Sequence, residues 1–158
     1  MSDLDKNITI IIVTFKSQKV IEKCLVSIDN KYPVIVIENS NDENFKKFLE
    51  NKFSNVKCIL TGENIGMGPA NNIGIKNATT DFVLISNPDV CFYQDTIKIL
   101  LNSAERIKNF TILAPIIAKI NNKFPNYGMF NKSKIEINEK FDFVKVDYVD
   151  GFAMLINK

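Results

Sequence analysis

The sequence predicts an α/β fold, a mainly parallel sheet with helices on both faces. Three observations carry this: β-branched runs recur along the first two thirds of the chain, segments of helical apolar spacing separate them, and polar residues gather where the runs stop. Uninterrupted apolar runs of strand length are what strands buried on both faces require. Their alternation with helices gives a layered fold with short crossovers. At 158 residues, with 46% hydrophobic and 24% charged residues, the chain suits a single domain over 1–158 with a real core.

Asn7 to Phe15 (N-I-T-I-I-I-V-T-F) reads as a central parallel strand, and no glycine follows it. Val20, Ile21, Cys24, Leu25 and Ile28 then fall at helical spacing, with Ser17 as N-cap. Tyr32-Pro33 ends that helix. Val34 to Ile37 is a second buried strand closing on Glu38-Asn39-Ser40-Asn41-Asp42, and the next helix carries Phe45, Phe48, Leu49 and Phe53 on one face. Val56 to Leu60 is a third strand. Gly62, Gly66, Gly68 and Pro69 read as a loop, and Ala70 to Ala78 as a short helix. Phe82 to Ser86 is the strand on which the rest is organised, because Pro88 lacks an N–H and forces the chain outward there. Thr96 to Ile107 has one broad apolar face, and Phe110 to Ile117 is a strand candidate in which Pro115 marks an edge or a break. Asn121 to Lys140 reads as loop with short strands. Phe141 to Asp147 and Tyr148 to Ile156 are the last apolar runs.

Composition narrows the chemistry. The 20 Lys and Arg nearly balance 18 Asp and Glu, giving a net charge of +2 without a dense basic block, which argues against nucleic acid as a partner. The longest apolar run, Ile8 to Phe15, is far short of the roughly 20 residues of a membrane span. The start M-S-D-L-D-K is acidic, unlike a secretory signal, so a cytoplasmic location is expected. Cys24, Cys58 and Cys91 are expected to be free buried thiols. With no His in the chain, any metal must be held by oxygens, which points to Mg²⁺, Mn²⁺ or Ca²⁺.

Polar groups fall at the carboxyl ends of three expected strands: Thr14 to Lys16, Glu38-Asn39 and Asn87 to Asp89. In a doubly wound sheet such ends line one crevice where nucleotides bind. Any one of them alone is only what a water-facing loop requires. Together with the glycine loop they predict a site, with Glu38 and Asn39 toward a ribose or base edge and Asp89 holding a cation beside a diphosphate. Gly62, Gly66 and Gly68 lack the dinucleotide-binding spacing, and the chain has no P-loop.

These segments resemble a known family. I-I-I-V-T-F-K-S at 10–17, V-I-V-I-E-N-S-N-D at 34–42, E-N-I-G-M-G-P-A-N-N-I-G-I at 63–75, F-V-L-I-S-N-P-D-V at 82–90 and V-D-G-F-A-M-L-I at 149–156 are similar, in order, to family-2 glycosyltransferases of the GT-A fold, in particular their rhamnosyltransferase-like branch. The resemblance implies an inverting transferase that moves sugar from a UDP- or dTDP-sugar to an acceptor glycan or lipid-linked sugar in surface polysaccharide or glycoconjugate synthesis. It implies that Thr14 and Phe15 pack on the base, and that Glu38, where the family usually has Asp, hydrogen-bonds it. Asn64 and Gly66 would lie beside the nucleotide, with Asn71 and Asn72 nearby. Asn87-Pro88-Asp89 would stand in place of the Asp-x-Asp motif, with Asp89 as ligand to Mg²⁺ or Mn²⁺ and Asn87 near the ribose or metal. Asp150, on the acceptor side, would be the nearest substitute for a catalytic base, which the family places further along than this chain extends. The expectation is therefore a C-terminally truncated relative lacking that base. The alternative is a non-catalytic nucleotide-sugar-binding or scaffold module, and in either case a homo-oligomer with peripheral membrane contact left open.

Overall fold

The computed structural model describes residues 7–107, 109–115, 136–138 and 143–158. In chain order the elements are β1 (Ile8–Thr14), α1 (Ile21–Val26), β2 (Val34–Glu38), α2 (Glu43–Lys52), β3 (Val56–Leu60), α3 (Met67–Asn77), β4 (Phe82–Ser86), α4 (Thr96–Ile107), β5 (Ile112–Leu113), β6 (Glu136–Asn138), β7 (Phe143–Lys145) and β8 (Ala153–Asn157). Six strands form one sheet in the order β3-β2-β1-β4-β8-β5, and β6 and β7 form a separate antiparallel pair. The pairs β1–β2, β2–β3 and β1–β4 are parallel; β8 runs antiparallel to both β4 and β5.

The pleat sorts the core into two layers. Ile8, Ile10 and Ile12 of β1, Val34 and Val36 of β2 and Leu84 of β4 pack with the buried residues of α1, α2 and α4. Ile11, Ile35, Ile37 and Val83 face the other way, onto Ala70 and Ile73 of α3. The topology explains the split. The crossovers through α1 and α2 step outward from β1 to β2 to β3, whereas α3 brings the chain back across β2 and β1 to β4. A right-handed crossover in the reversed direction lands on the opposite face, so the order switches between β1 and β4. Passage of α3 is close: a Cβ on Gly74 would lie 2.4 Å from Cγ2 of Ile11.

Several expectations need correction. Ser17 does not cap α1: the helix begins at Ile21 behind Val20 with no side-chain cap, and the Ser17 carbonyl accepts from the N–H groups of Val20 and Ile21 in a turn that precedes it. The chain leaves β1 through Lys16 in the left-handed region (φ 55°) rather than through a helical start. α3 begins at Met67, three residues before the expected start, taking in Gly68 and Pro69. Phe48 is exposed while Phe45 and Leu49 are buried, because the apolar stripe of α2 is narrower than the expected set of Phe45, Phe48, Leu49 and Phe53 implies, and Phe53 is the C-cap. Cys91 is exposed, unlike Cys24 and Cys58. The strand expected over Phe110 to Ile117 is only Ile112–Leu113 within the described residues. Most of the loop expected over Asn121 to Lys140 lies outside them. β8 is an interior strand between β4 and β5, with Ala153 and Leu155 fully buried and Met154 and Ile156 partly so.

Gly74→Ala should lower the stability of the folded chain by about 1–3 kcal/mol, the usual cost of forcing a group into a packed core. Gly68→Ala, where an added Cβ meets nothing within 4 Å, should be neutral or stabilising. Urea midpoints of the two variants check this, and equal midpoints would remove the close approach as a constraint.

Candidate functional site

Carboxyl ends of β1, β2 and β4, the start of α3 and the entry to β8 all reach one edge of the sheet, because α3 returns antiparallel to the strands and Ala153 pairs with Ser86. Thr14 and Glu38 are register partners on adjacent strands. Both are buried, at 0% and 1% exposure. Their side chains follow Ile12 and Val36 by two residues and so point to the same face. Ser40 Oγ donates to Glu38 Oε1, while Glu38 Oε2 and Thr14 Oγ1 have no partner among the described residues. Burial raises the Glu38 carboxyl above its ordinary range; the Ser40 hydrogen bond opposes the shift and the charge of Asp42 adds to it.

Asn39, 2% exposed, points to the α3 side and clasps the next loop. Its Nδ2 donates to Asn64 Oδ1 at 3.0 Å, and its Oδ1 accepts from the Ile65 N–H at 3.1 Å and from Thr61 Oγ1 at 3.2 Å. Asn64 Oδ1 also accepts from the Gly66 N–H at 3.0 Å. Gly66, at φ 84°, is the N-cap of α3, a position where its missing Cβ removes the steric penalty. Asn39 and Asn64 thus fix the loop at the helix start. Asn71, one turn into α3, has a buried Oδ1 without a partner among the described residues, and Asn72 is exposed.

Asn87 and Asp89 sit on the turn after β4. The Asn87 N–H donates to the Phe152 carbonyl at 3.0 Å, so the Asp150–Phe152 segment lies against this turn. The Asn87 carbonyl accepts from Val90 N–H at 3.3 Å and faces the Cys24 thiol at 3.7 Å. Burial, with the charges of Cys91 and Asp89 adding, pushes that thiol up to about 12. Asp89 and Asp150 are exposed. Phe15, 42% exposed, stands at the mouth beside Thr14, with Lys16 Nζ 5.2 Å from its ring centroid.

The donor set can be tested against a divalent cation. No three His, Cys, Asp or Glu side chains gather among the described residues, so no all-protein cage exists there. One exposed carboxylate with an amide oxygen two residues away matches the sparse protein contribution that Mg²⁺ or Mn²⁺ takes when phosphate and water complete its shell. The residues fit that ion and not a protein-caged Ca²⁺. A shallow depression of about 270 Å³ lies among Thr9, Pro33, Asn55 and Thr79, at the amino ends of the strands. It contains none of the buried polar atoms without partners.

Two contributors were not anticipated. Ser40 fixes the carboxyl of Glu38, and Thr61 closes the Asn39 clasp; both lay in stretches read only as polar loop, and single hydroxyls there give no sequence signal.

The sequence model of the family described as Glycosyl transferase family 2 matches residues 9–158. The hexosyltransferase Agl10 of low-salt glycan biosynthesis from Haloferax volcanii is 26% identical over 115 residues, covering 70% of this chain and 36% of that protein. The N-acetylglucosaminyl-diphospho-decaprenol L-rhamnosyltransferase of Mycobacterium tuberculosis is 25% identical over 123 residues, covering 68% and 40%. S. aureus TarS 1–349 in complex with UDP-GlcNAc superposes with a TM-score of 0.63 at 23% identity, over 79% of this chain and 38% of that one. The mannosyltransferase PcManGT of Pyrobaculum calidifontis, in complex with GDP-Man and Mn²⁺, gives 0.65 at 17% identity, over 96% and 44%. The chain thus spans well under half the length of these relatives.

Glu38→Gln should stabilise the fold at neutral pH. A raised carboxyl pKa means the folded state disfavours the charged form, so the Glu38 contribution is fully present below the ordinary carboxylate range and is lost as pH rises through the raised value. Thermal melts should show the variant ahead near pH 7, because the amide carries no charge for burial to disfavour. The gap should close on acidification. A wild-type lead at neutral pH would overturn the assignment.

Proposed function

The chain belongs to glycosyl transferase family 2, and from that membership we propose that its carboxyl edge binds the nucleoside diphosphate of a UDP- or dTDP-sugar. The fold is GT-A-like, a mainly parallel six-stranded sheet with helices on both faces. The observation that carries the proposal is that the register partners Thr14 and Glu38 each bury an oxygen, Oγ1 and Oε2, without a partner among the described residues, at the carboxyl edge beside the point where the strand order reverses. Buried polar atoms without partners call for an explanation, and at such an edge a ligand is the one physics favours.

Roles follow from position. Phe15 offers a face for a base to stack on, and Thr14 and Glu38 lie beneath it to meet the base edge. Asn64 and Gly66, held by the Asn39 clasp, border the nucleotide from the α3 side. Asn87 faces the ribose. Asp89, with Asn87, would hold Mg²⁺ or Mn²⁺, which when bound neutralises the charge developing on the leaving diphosphate. The whole protein's reaction is then transfer with inversion: the acceptor hydroxyl oxygen attacks the anomeric carbon as the bond to the diphosphate breaks, and a base takes the hydroxyl proton. Asp150 enters from the Phe152 side, where an acceptor glycan or lipid-linked sugar would approach. The curated relatives' names, a hexosyltransferase of glycan biosynthesis and a rhamnosyltransferase of a diphospho-decaprenol carrier, support surface polysaccharide or glycoconjugate synthesis as the setting.

Calorimetry should detect UDP or dTDP binding that tightens with Mn²⁺ or Mg²⁺; no heat with either nucleotide, with or without metal, would sink the reading. Phe15→Ala should weaken nucleotide binding about tenfold, the low end of what one base–aromatic stack contributes. Asp89→Ala should erase the metal dependence while changing stability by no more than about 0.5 kcal/mol, as expected of an exposed side chain. Loss of most of the thermal stability in that variant would mean the turn is structural.

A further inference from the structure

We infer that Cys24 and Cys91 form a thiol pair that closes to a disulfide beneath the Asn87–Asp89 turn, making the site open to thiol–disulfide modification. Two contacts bracket Cys91. On one side, the Val90 N–H shares the Asn87 carbonyl with the Cys24 thiol, at 3.3 Å and 3.7 Å. On the other, the Phe92 N–H donates to Ser27 Oγ at 3.0 Å, and Ser27 lies one turn along the chain from Cys24, to whose carbonyl its hydroxyl donates at 2.6 Å. Cys91 is the single residue between Val90 and Phe92, so its backbone runs alongside the Cys24–Ser27 turn. A disulfide needs Cα atoms roughly 4.4–6.8 Å apart, so closure requires the Cys91 segment to settle within that reach of the Cys24–Ser27 turn on which it is docked.

Exposure assigns the order of events. Cys91 is open to solvent and Cys24 is buried. A small-molecule disulfide meets Cys91 first: the Cys91 sulfur attacks one sulfur of the reagent, its proton ends on the departing thiol, and a mixed disulfide forms. The Cys24 sulfur then attacks the Cys91 sulfur and expels the second thiol, which takes the Cys24 proton. Two protein thiols are oxidised and one reagent disulfide is reduced to two thiols. Closure draws Cys91 toward α1 and takes the Cys24 thiol off the Asn87 carbonyl, so the turn that carries Asp89 must shift. Cys58, buried in β3, has no cysteine beside it among the described residues and serves as an internal control.

The effect on the site rests on the proposed nucleotide binding; the crosslink does not. The test treats the full chain with oxidised glutathione, quenches with acid, and maps thiols by mass spectrometry after alkylation under unfolding conditions. The expected product is one intramolecular Cys24–Cys91 crosslink, Cys58 alkylated, and full reversal by dithiothreitol. Cys24→Ala should stop at the glutathione adduct on Cys91, and Cys91→Ser should leave Cys24 unmodified. A stable Cys91 adduct in the wild type with Cys24 still alkylatable, or a Cys91–Cys91 dimer, would overturn the pair. In a second arm, the oxidised chain should bind UDP with Mn²⁺ at least tenfold more weakly than the reduced chain, with recovery on reduction. Unchanged affinity would overturn the coupling to the turn, whereas a reduced chain that binds no nucleotide would defeat the proposed function and leave the crosslink result standing.

Discussion

The close approach of α3 to β1 at Gly74 and Ile11 is the constraint on which the arrangement depends. A sheet ordered β3-β2-β1-β4 needs one crossover that travels back over two strands, and that crossover must pack tightly enough for β4 to pair with β1. A glycine at the crossing lets the helix backbone settle onto Ile11 without displacing it. Because the helix returns on the opposite face, strand order reverses between β1 and β4, and in open α/β sheets it is at the carboxyl side of such a reversal that ligands bind. The site therefore follows from the topology. Its polar residues occupy an edge that apolar packing has already made.

What steadies that edge is a division of labour among buried polar groups. Asn39 satisfies its side chain inside the protein, against Asn64, Thr61 and the Ile65 N–H. Glu38, its neighbour, satisfies only one carboxyl oxygen among the described residues. Adjacent residues of a strand point to opposite faces, so the chain places a structural clasp on one side and an unmet acceptor on the other. The clasp holds the α3 start, while burial disfavours the anionic form of the Glu38 carboxyl.

Much of this was legible from sequence where one physical cause dominated. The four parallel strands announced themselves because burial on both faces demands unbroken β-branched runs, and α4 because its apolar face is wide. The start of α3 was misread because Gly68 and Pro69 look like breakers, yet both fall in the first turn, where backbone N–H groups have no helical partner to lose. The expected cap at Ser17 failed because the chain turns at Lys16 first. At the site, the strand-end positions of Glu38, Asn87 and Asp89 were readable, since Pro88 and the end of each run mark the edge. The depth of Glu38, the hold of Ser40 and the clasp role of Asn39 were not, because they depend on which face each side chain meets and on loops brought together from distant positions.

The interior place of β8 has a consequence for how the chain acquires its structure. The β1–β2 and β2–β3 pairs are joined by crossovers of modest length, so those strands can assemble progressively as the polypeptide emerges, whereas β4 pairs with β1 from far along the chain. β5 has no such route: its sheet partner is β8, and β8 in turn pairs with β4, matching Ala153 to Ser86 across a long intervening stretch. Closing so wide a loop carries an entropic penalty, shared by the β1–β4 pair, that the β1–β2 and β2–β3 pairings avoid. During synthesis β4 waits with one side unpaired, an exposed template for wrong strand partners, until residues 153–157 arrive. The strand that carries the Asn87–Asp89 turn is thus held on both sides by strands distant in sequence, and its pairing is complete only once residues 153–157 are in place.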